Sequence, residues 1–335
     1  MPECKSSLAA LDLYSFQHLT VLLGTSRQEL LNISAHAGRF YKPFHKRSNV
    51  RPFAQKDRHR KSRLIDKPTG LLKVLQSRIT DRLLKQLIFP EHLLGGIPGK
   101  SIAQNTSLHF GAPYLVTIDI KDFFPSITPE QIYMVWKDVL NCSPEIARTL
   151  TKITTFRGRL PQGAPTSTLL ANLVLGAIDA PIRAACNAKQ VRYSSFVDDL
   201  AFSGHHARDV VPSVINILRE SGFSVAHRKI KVMGPGNKKT INGLTLGRFI
   251  RADKGYSQRI RAGIHNLEIG KVSEAEVASY VASLEGQISY VGLFDTRKAT
   301  RLREDLAHAK SARVPIAEKT WHYIHLSLRS RSEMQ

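Results

Sequence analysis

Asp198 and Asp199 stand side by side in the stretch YSSFVDDLAFSG (193–204), pinched between two short apolar runs. Adjacent carboxylates repel one another unless a cation or a proton lies between them. Asn-Gly would close a hairpin without that cost, and an Asp-Asp pair in a turn is by itself an ordinary structural feature. A third carboxylate changes the weighing. Asp119 lies in YLVTIDIKDFFPSIT, where Val116, Ile118 and Ile120 alternate with Leu115, Thr117 and Asp119, the pattern of a strand that ends in a Pro-marked turn. A βαβ-type ordering sets that strand beside the hairpin in one sheet and brings Asp119, Asp198 and Asp199 to one edge. Three carboxylates in one place require metal. Hard oxygen donors with positions left for water suit Mg²⁺ or Mn²⁺, and two such ions activate an attacking 3′-hydroxyl while stabilising a pyrophosphate leaving group.

The rest of the chain must position those groups. At 335 residues with 42% hydrophobic content it is long enough to bury a sizeable core. Lys and Arg number 49 against 27 acids, a net charge of +22 that points to a polyanionic partner, nucleic acid before an anionic membrane. The opening MPECKSSLAALDLYSFQHLT lacks a basic region followed by a sustained apolar run, so a cytoplasmic, unanchored chain with no membrane partner is expected. Cys4, Cys142 and Cys186 lie far apart with no CxxC pair, which indicates neither a zinc site nor a disulfide framework.

Apolar residues at helical spacing from Leu11 to Leu31 predict opening helices. Ten Lys or Arg residues and one acid follow between Arg39 and Arg63, interleaved with Phe40, Tyr41, Phe44 and Phe53. A charge run of that kind is most simply a solvated loop, but the aromatics and the RLIDKP that ends it favour a strand pair facing phosphates. Residues 71–89 repeat Leu and Ile at three and four and predict one amphipathic helix. GGIPGKS (95–101) is one residue short of a phosphate-binding loop, since Leu94 stands where Gly is needed, and reads as a turn before the helix SIAQNTSLHF. PEQIYMVWKDVL and SPEIARTLTKIT predict helices, GRLPQGAPTSTLLANLVLGAIDAPIRAAC a Gly/Pro loop running into one long apolar helix from near Pro165, and VVPSVINILRESGF another helix. SVAHRKIKVMGPGNKKTINGLTL reads as strands about a Gly-Pro-Gly turn, and helices predominate from 255 onward.

TIDIKDFFPSI, LPQGAPTSTLLANLVL and FVDDLAFSG, in that order, resemble the palm motifs of reverse transcriptases, and RLIDKP and GKSIAQNTSLH resemble the segments that precede them. The resemblance covers roughly residues 40–295. NTSLH (Asn105 to His109), similar to N-A-x-x-H, and INGL (241–244), near where V-T-G would lie, look most like the bacterial retron type. The resemblance implies an α+β right-hand polymerase: N-terminal helices (1–38), fingers (39–113), a mostly antiparallel palm (114–250, with fingers-associated helices about 130–165), and a helical thumb with a C-terminal tail (251–335).

Carried over residue by residue, it implies that Asp119, Asp198 and Asp199 bind two Mg²⁺ (or Mn²⁺), with the Ile120 carbonyl as a further ligand. Lys56, with Arg60 and Lys61 as rivals, and Arg63 resemble the cations that contact the incoming triphosphate, and Gln162 the residue packed beside the nucleotide. Phe124 resembles the ring beneath the incoming sugar that excludes a 2′-hydroxyl, although Phe123 and Phe124 are both also ordinary core candidates. Lys229 resembles the lysine that assists proton transfer to pyrophosphate. Asn105 and His109 would be structural or RNA-positioning groups, while Arg297, Lys298, Arg301 and Arg303 would follow the template-primer duplex. Departures are Phe196 for Tyr, Thr106 for Ala, Ala226 for Asn and Ile241-Asn242-Gly243 for Val-Thr-Gly, none of which removes a carboxylate.

The implied activity is RNA-templated DNA synthesis from dNTPs. A retron kinship further implies a structured noncoding RNA supplying template and primer, a single-stranded DNA product, and an effector protein in antiphage defence. Rival expectations are a defence-associated enzyme with a different noncoding RNA, a DNA-templated polymerase, and an RNA-binding scaffold whose site is a relic.

Overall fold

Two helices open the described chain, which comprises residues 10–46 and 62–312 of the computed structural model. In α1 (Phe16–Leu23) and α2 (Arg27–His36), Ser15 and Ser26 accept hydrogen bonds from the N–H groups of His18 and Glu29, so each helix starts at a side-chain cap. The predicted basic strand pair is β1 (Tyr41–Lys46) and β2 (Arg63–Pro68), antiparallel with Lys46 opposite Arg63; residues 47–61 between them lie outside the described residues.

The helix expected over 71–89 is shorter. α3 (Gly70–Arg82) gives way to a 3₁₀ turn at Leu84–Gln86, where Leu83, Leu84, Leu87 and Phe89 are all buried and one helical stripe cannot turn them all inward. Next come α4 (Ile102–Ser107), β3 (Leu115–Asp119), α5 (Phe123–Ser126), α6 (Pro129–Met134) and α7 (Pro144–Thr154). A wider π turn, Val135–Val139, extends α6. The single long apolar helix is instead two, α8 (Ser167–Ile178) and α9 (Ala180–Ala188), bent by 56°. Pro181 accounts for the break, because its ring removes an N–H and cannot sit inside a continuing helix. β4 (Arg192–Phe196), β5 (Asp199–Ser203), α10 (Val211–Glu220), β6 (Lys231–Met233) and β7 (Lys239–Ile241) complete this first unit, residues 10–46 with 62–242.

Its sheet runs β4-β5-β3-β6 with every neighbour antiparallel. β3 and β4 are therefore parallel to each other with β5 inserted between them, a split βαβ. That insertion is what sets Asp119 beside the hairpin. Val116, Ile118, Leu200 and Phe202 are fully buried in a core shared with α3, α7 and α8, each contributing about 1.5–3 kcal/mol of burial.

The second unit, residues 243–312, has its own core. It contains the antiparallel pair β8 (Leu244–Leu246) and β9 (Ile250–Ala252), then α11 (Lys254–Glu268), α12 (Glu274–Gly292) and α13 (Thr296–Ala312). Ile260, Leu267, Leu284, Ile288 and Leu302 fill it at helical spacing. Among the described residues no single helix is long and apolar enough to cross a membrane; α8 with α9 passes only as the bent pair, and α8 lies in the core of the first unit.

Candidate active site

The register of β3 on β5 puts Asp119 directly opposite Asp199. Asp198 is held against the same strand end, because the Ile120 N–H donates to its carbonyl at 2.9 Å. Phe196 pairs with Asp199, which leaves Val197 and Asp198 as a two-residue hairpin turn. Val197 has φ 63°, a left-handed conformation that a β-branched side chain adopts at a cost of about 1–3 kcal/mol and that two-residue turns usually give to Gly or Asn. The segment before it explains how that is sustained. Ser195 donates its N–H to the His92 carbonyl at 2.8 Å and accepts from the Leu94 N–H at 2.9 Å, which lays residues 92–95 along β4. A Cβ on Gly95 would stand 2.4 Å from the Val197 nitrogen and 2.8 Å from the Phe196 carbonyl carbon, so only glycine lets this backbone press on the turn.

The three carboxylates differ in their partners. Asp119, its side chain 15% exposed, accepts from the Lys229 ammonium through both oxygens, at 2.8 and 2.9 Å. Asp199 accepts from the Asn242 amide at 2.9 Å. Burial, then the Asp198 and Asp119 charges, push the Asp199 carboxyl up to about 6, with Lys229 and the Asn242 bond pulling the other way. Burial also raises Asp198, helped by Asp119 and opposed by Lys229 and Arg63.

Among the described residues no three His, Cys, Asp or Glu side chains converge tightly enough to enclose an ion, and Asp119 is engaged with Lys229. The donor chemistry nonetheless fits a divalent cation. Two half-buried carboxylates resist ionisation, first because burial withdraws them from water and then because they repel the neighbouring carboxylates, and hard oxygen donors are the class that Mg²⁺ and Mn²⁺ take.

Of the other residues singled out in the sequence, Arg63 is exposed at the start of β2, and its charge reaches Asp198. Lys56, with its rivals Arg60 and Lys61, lies outside the described residues. Gln162 is half-buried, and its carbonyl accepts from the Asp66 N–H at 2.9 Å. Arg159 binds both oxygens of buried Asp66, at 3.0 and 3.3 Å, so the loop carrying Gln162 is locked to the strand carrying Arg63.

The two phenylalanines separate. Phe123 is 2% exposed and packs against Phe223, ring centroids 5.5 Å apart, whereas Phe124 is only half-buried at the rim of the same core. The Ile120 side chain is 1% exposed, so any part it plays falls to its backbone.

For Asn105 and His109 the placement fits the structural expectation and corrects the RNA-positioning one. Both are buried, 0% and 1% exposed, and their polar side-chain atoms bond to protein: Asn105 to Asn242 and Ser194, His109 to Ser194 and Ser203. They do not lie on a surface that RNA can touch in this fold. In the second unit Arg297, Arg301 and Arg303 are exposed along α13 and Lys298 is half-buried, while Ala299, Leu302 and Leu306 turn inward.

A model of the family described as reverse transcriptase (RNA-dependent DNA polymerase) matches residues 53–261. The chain belongs to that family, and it is an RNA-directed DNA polymerase of right-hand architecture. Within the family it is similar to retron enzymes. The retron Ec86 reverse transcriptase of Escherichia coli is 29% identical over 252 residues, 74% of this chain and 77% of that one. The retron Mx65 reverse transcriptase of Myxococcus xanthus is 28% identical over 296 residues, 81% and 68% of the two chains. Among solved structures, telomerase from Candida albicans in complex with a fragment of telomeric RNA covers 82% of this chain and 61% of its own, at 11% identity and a TM-score of 0.43, a likeness too distant to bear on the site.

Proposed function

We propose that the chain copies a cognate structured noncoding RNA into single-stranded DNA, with the RNA supplying both template and a 2′-hydroxyl primer, and that it does so in the cytoplasm in antiphage defence alongside an effector protein. The observation that carries the catalytic part is the cross-strand pairing of Asp119 with Asp199, with Asp198 tied to the same strand end. These carboxylates and the Ile120 carbonyl would hold two Mg²⁺. When bound, such ions lower the pKa of the primer hydroxyl and offset charge on the pyrophosphate.

The remaining work falls to the chain itself. Arg63, exposed on β2 and within electrostatic reach of Asp198, binds the triphosphate, together with Lys56. Gln162, on a loop locked to that strand through Asp66, fixes the nucleotide laterally. Phe124 underlies the sugar at the rim of the core and excludes a 2′-hydroxyl by overlap. Lys229, whose ammonium donates to Asp119 from an exposed position, would supply the proton that pyrophosphate accepts. The exposed arginines of α13 follow the phosphates of the template-primer duplex.

The test is to purify the chain with its nucleic acid, sequence that material, and assay dNTP incorporation on RNA and matched DNA templates with Mg²⁺ and with chelator. A recurrent structured RNA carrying covalently attached DNA, with Mg²⁺-dependent synthesis favouring RNA templates, is expected. Preference for DNA templates, or RNA binding without any synthesis, would replace the reading by a DNA-templated polymerase or a relic scaffold.

A further inference from the structure

Asp199 stands at the end of a line of side-chain hydrogen bonds whose direction can be deduced link by link. An ionised carboxylate only accepts, so the Asn242 amide must turn its Nδ2 toward Asp199 (2.9 Å) and its Oδ1 away. That oxygen accepts from Asn105 Nδ2 at 2.8 Å, which leaves Asn105 Oδ1 to accept the Ser194 hydroxyl at 2.6 Å. Ser194 has then used its one proton, and it must accept from His109 Nε2 at 2.7 Å. Burial pushes His109 down to about 4, so the ring is neutral; with its proton on Nε2, Nδ1 accepts the Ser203 hydroxyl at 2.8 Å. Every donor points the same way, toward the carboxylate.

The line is also rigid. Asn105, His109, Ser194 and Ser203 are 0–1% exposed, and the two serines lie on β4 and β5, the strands of the Asp198-Asp199 hairpin itself. Asn242 has φ 47°, a left-handed conformation that Asn tolerates better than most residues, and its amide both accepts from Asn105 and donates to Asp199.

We propose that Ser203, His109, Ser194, Asn105 and Asn242 form one positioning device that holds one oxygen of Asp199 and thereby aims the other at the cation. None of the five is a catalytic residue in the strict sense; they act through Asp199. This rests on the reading of Asp199 as a metal ligand, and partners of that kind typically contribute 10–100-fold to metal affinity.

The experiment measures Mn²⁺ binding to the full chain by electron paramagnetic resonance titration, with thermal unfolding recorded alongside, for wild type, Asp199→Asn, Asn242→Ala, Asn105→Leu and the double variant Asn242→Ala/Asn105→Leu. Asn242→Ala should stay folded with a modestly lower melting temperature, since alanine tolerates φ 47° less well than Asn and Asn105 loses its acceptor, and should bind Mn²⁺ about 10–100-fold more weakly. The double variant should bind no more weakly than Asn242→Ala alone, because a unit already broken cannot be broken again. If Asn105→Leu fails to fold, Ser194→Ala takes its place, with a several-fold loss expected. Wild-type Mn²⁺ affinity in folded Asn242→Ala, with affinity lost in Asp199→Asn, overturns the device while leaving the ligand assignment standing. Fully additive losses in the double variant also overturn it, since the residues would then act separately. Wild-type affinity in Asp199→Asn removes the ligand assignment and the device with it.

Discussion

The carboxylate edge of β3 and β5 and the exposed arginines of α13 both carry charge, and they carry it in opposite ways. At the sheet edge the three aspartates are partly withdrawn from water and two of them are tied to named partners: Asp119 to Lys229, Asp199 to Asn242, and behind Asn242 a line made of a buried amide, two hydroxyls and an imidazole. On α13, Arg297, Arg301 and Arg303 stand in solvent, and only the small or apolar Ala299, Leu302, Leu306 and Ala309 are buried. Chemistry needs one atom in one place, so it recruits buried groups that cannot rearrange singly. Holding a polyanion needs only a density of positive charge, and exposed side chains that can substitute for one another suffice.

The sharpest test of that contrast is Asp198→Asn. It should reduce dNTP incorporation to background, a loss on the order of a thousandfold or more, while RNA affinity in a filter-binding assay stays near wild type. Comparable loss of both would mean that the edge serves binding as much as chemistry. Phe123→Ala and Phe124→Val come next. The first empties a core site and should cost about 3–5 kcal/mol in a denaturant melt with sugar choice unchanged. The second, at the rim, should melt nearly as wild type and extend through a single rNTP where wild type stalls; a folded Phe124→Val enzyme that stalls removes the steric gate.

Arg63→Ala should raise KM for dNTPs through loss of one charge-assisted contact, about 1.5–3 kcal/mol. Unchanged dNTP kinetics with weaker RNA binding would move Arg63 to the α13 kind of charge. Asp199 makes a smaller prediction about stability. Its carboxyl is raised to about 6 in the folded chain, so between the ordinary carboxylate range and pH 6 the folded state binds more protons than the unfolded one, and stability falls as pH rises through that window. In chelator, the difference in melting temperature between wild type and Asp199→Asn should show that fall and flatten above pH 6. The smallest effect is expected on α13, where Arg301→Ala should weaken duplex binding by less than about 1 kcal/mol and lower the salt dependence by about one released ion. A loss the size of that for Arg63 would mean that α13 too holds its ligand by fixed geometry.

What could be read from the sequence follows the same division. Asp119, Asp198 and Asp199 announce themselves by residue type and by the strand patterns around them, and the β3–β5 pairing needed little more than alternation and order. The partners did not. Asn105 and Asn242 are 137 residues apart, and nothing local to either says that one amide faces the other. His109 had a visible spacing from Asn105, but spacing on a helix face cannot distinguish a group turned to RNA from one turned to two buried serines. The two helix breaks differ: at Leu83 apolar periodicity continues and only the geometry of the core requires the turn, whereas Pro181 is a local signal that the apolar run on either side of it overrides in a reading by periodicity.

Gly95 carries a consequence for how a mutational map of this enzyme would look. It has no side chain, holds no charge and stands about a hundred residues ahead of the aspartates, yet any Cβ there meets the backbone of the turn that carries Asp198 as well as the Val197 side chain, and backbone cannot move aside. In a comprehensive substitution screen scored on DNA synthesis, position 95 should therefore be as intolerant as position 198. A catalytic map inferred from such scores alone would enrol a residue that never meets a substrate.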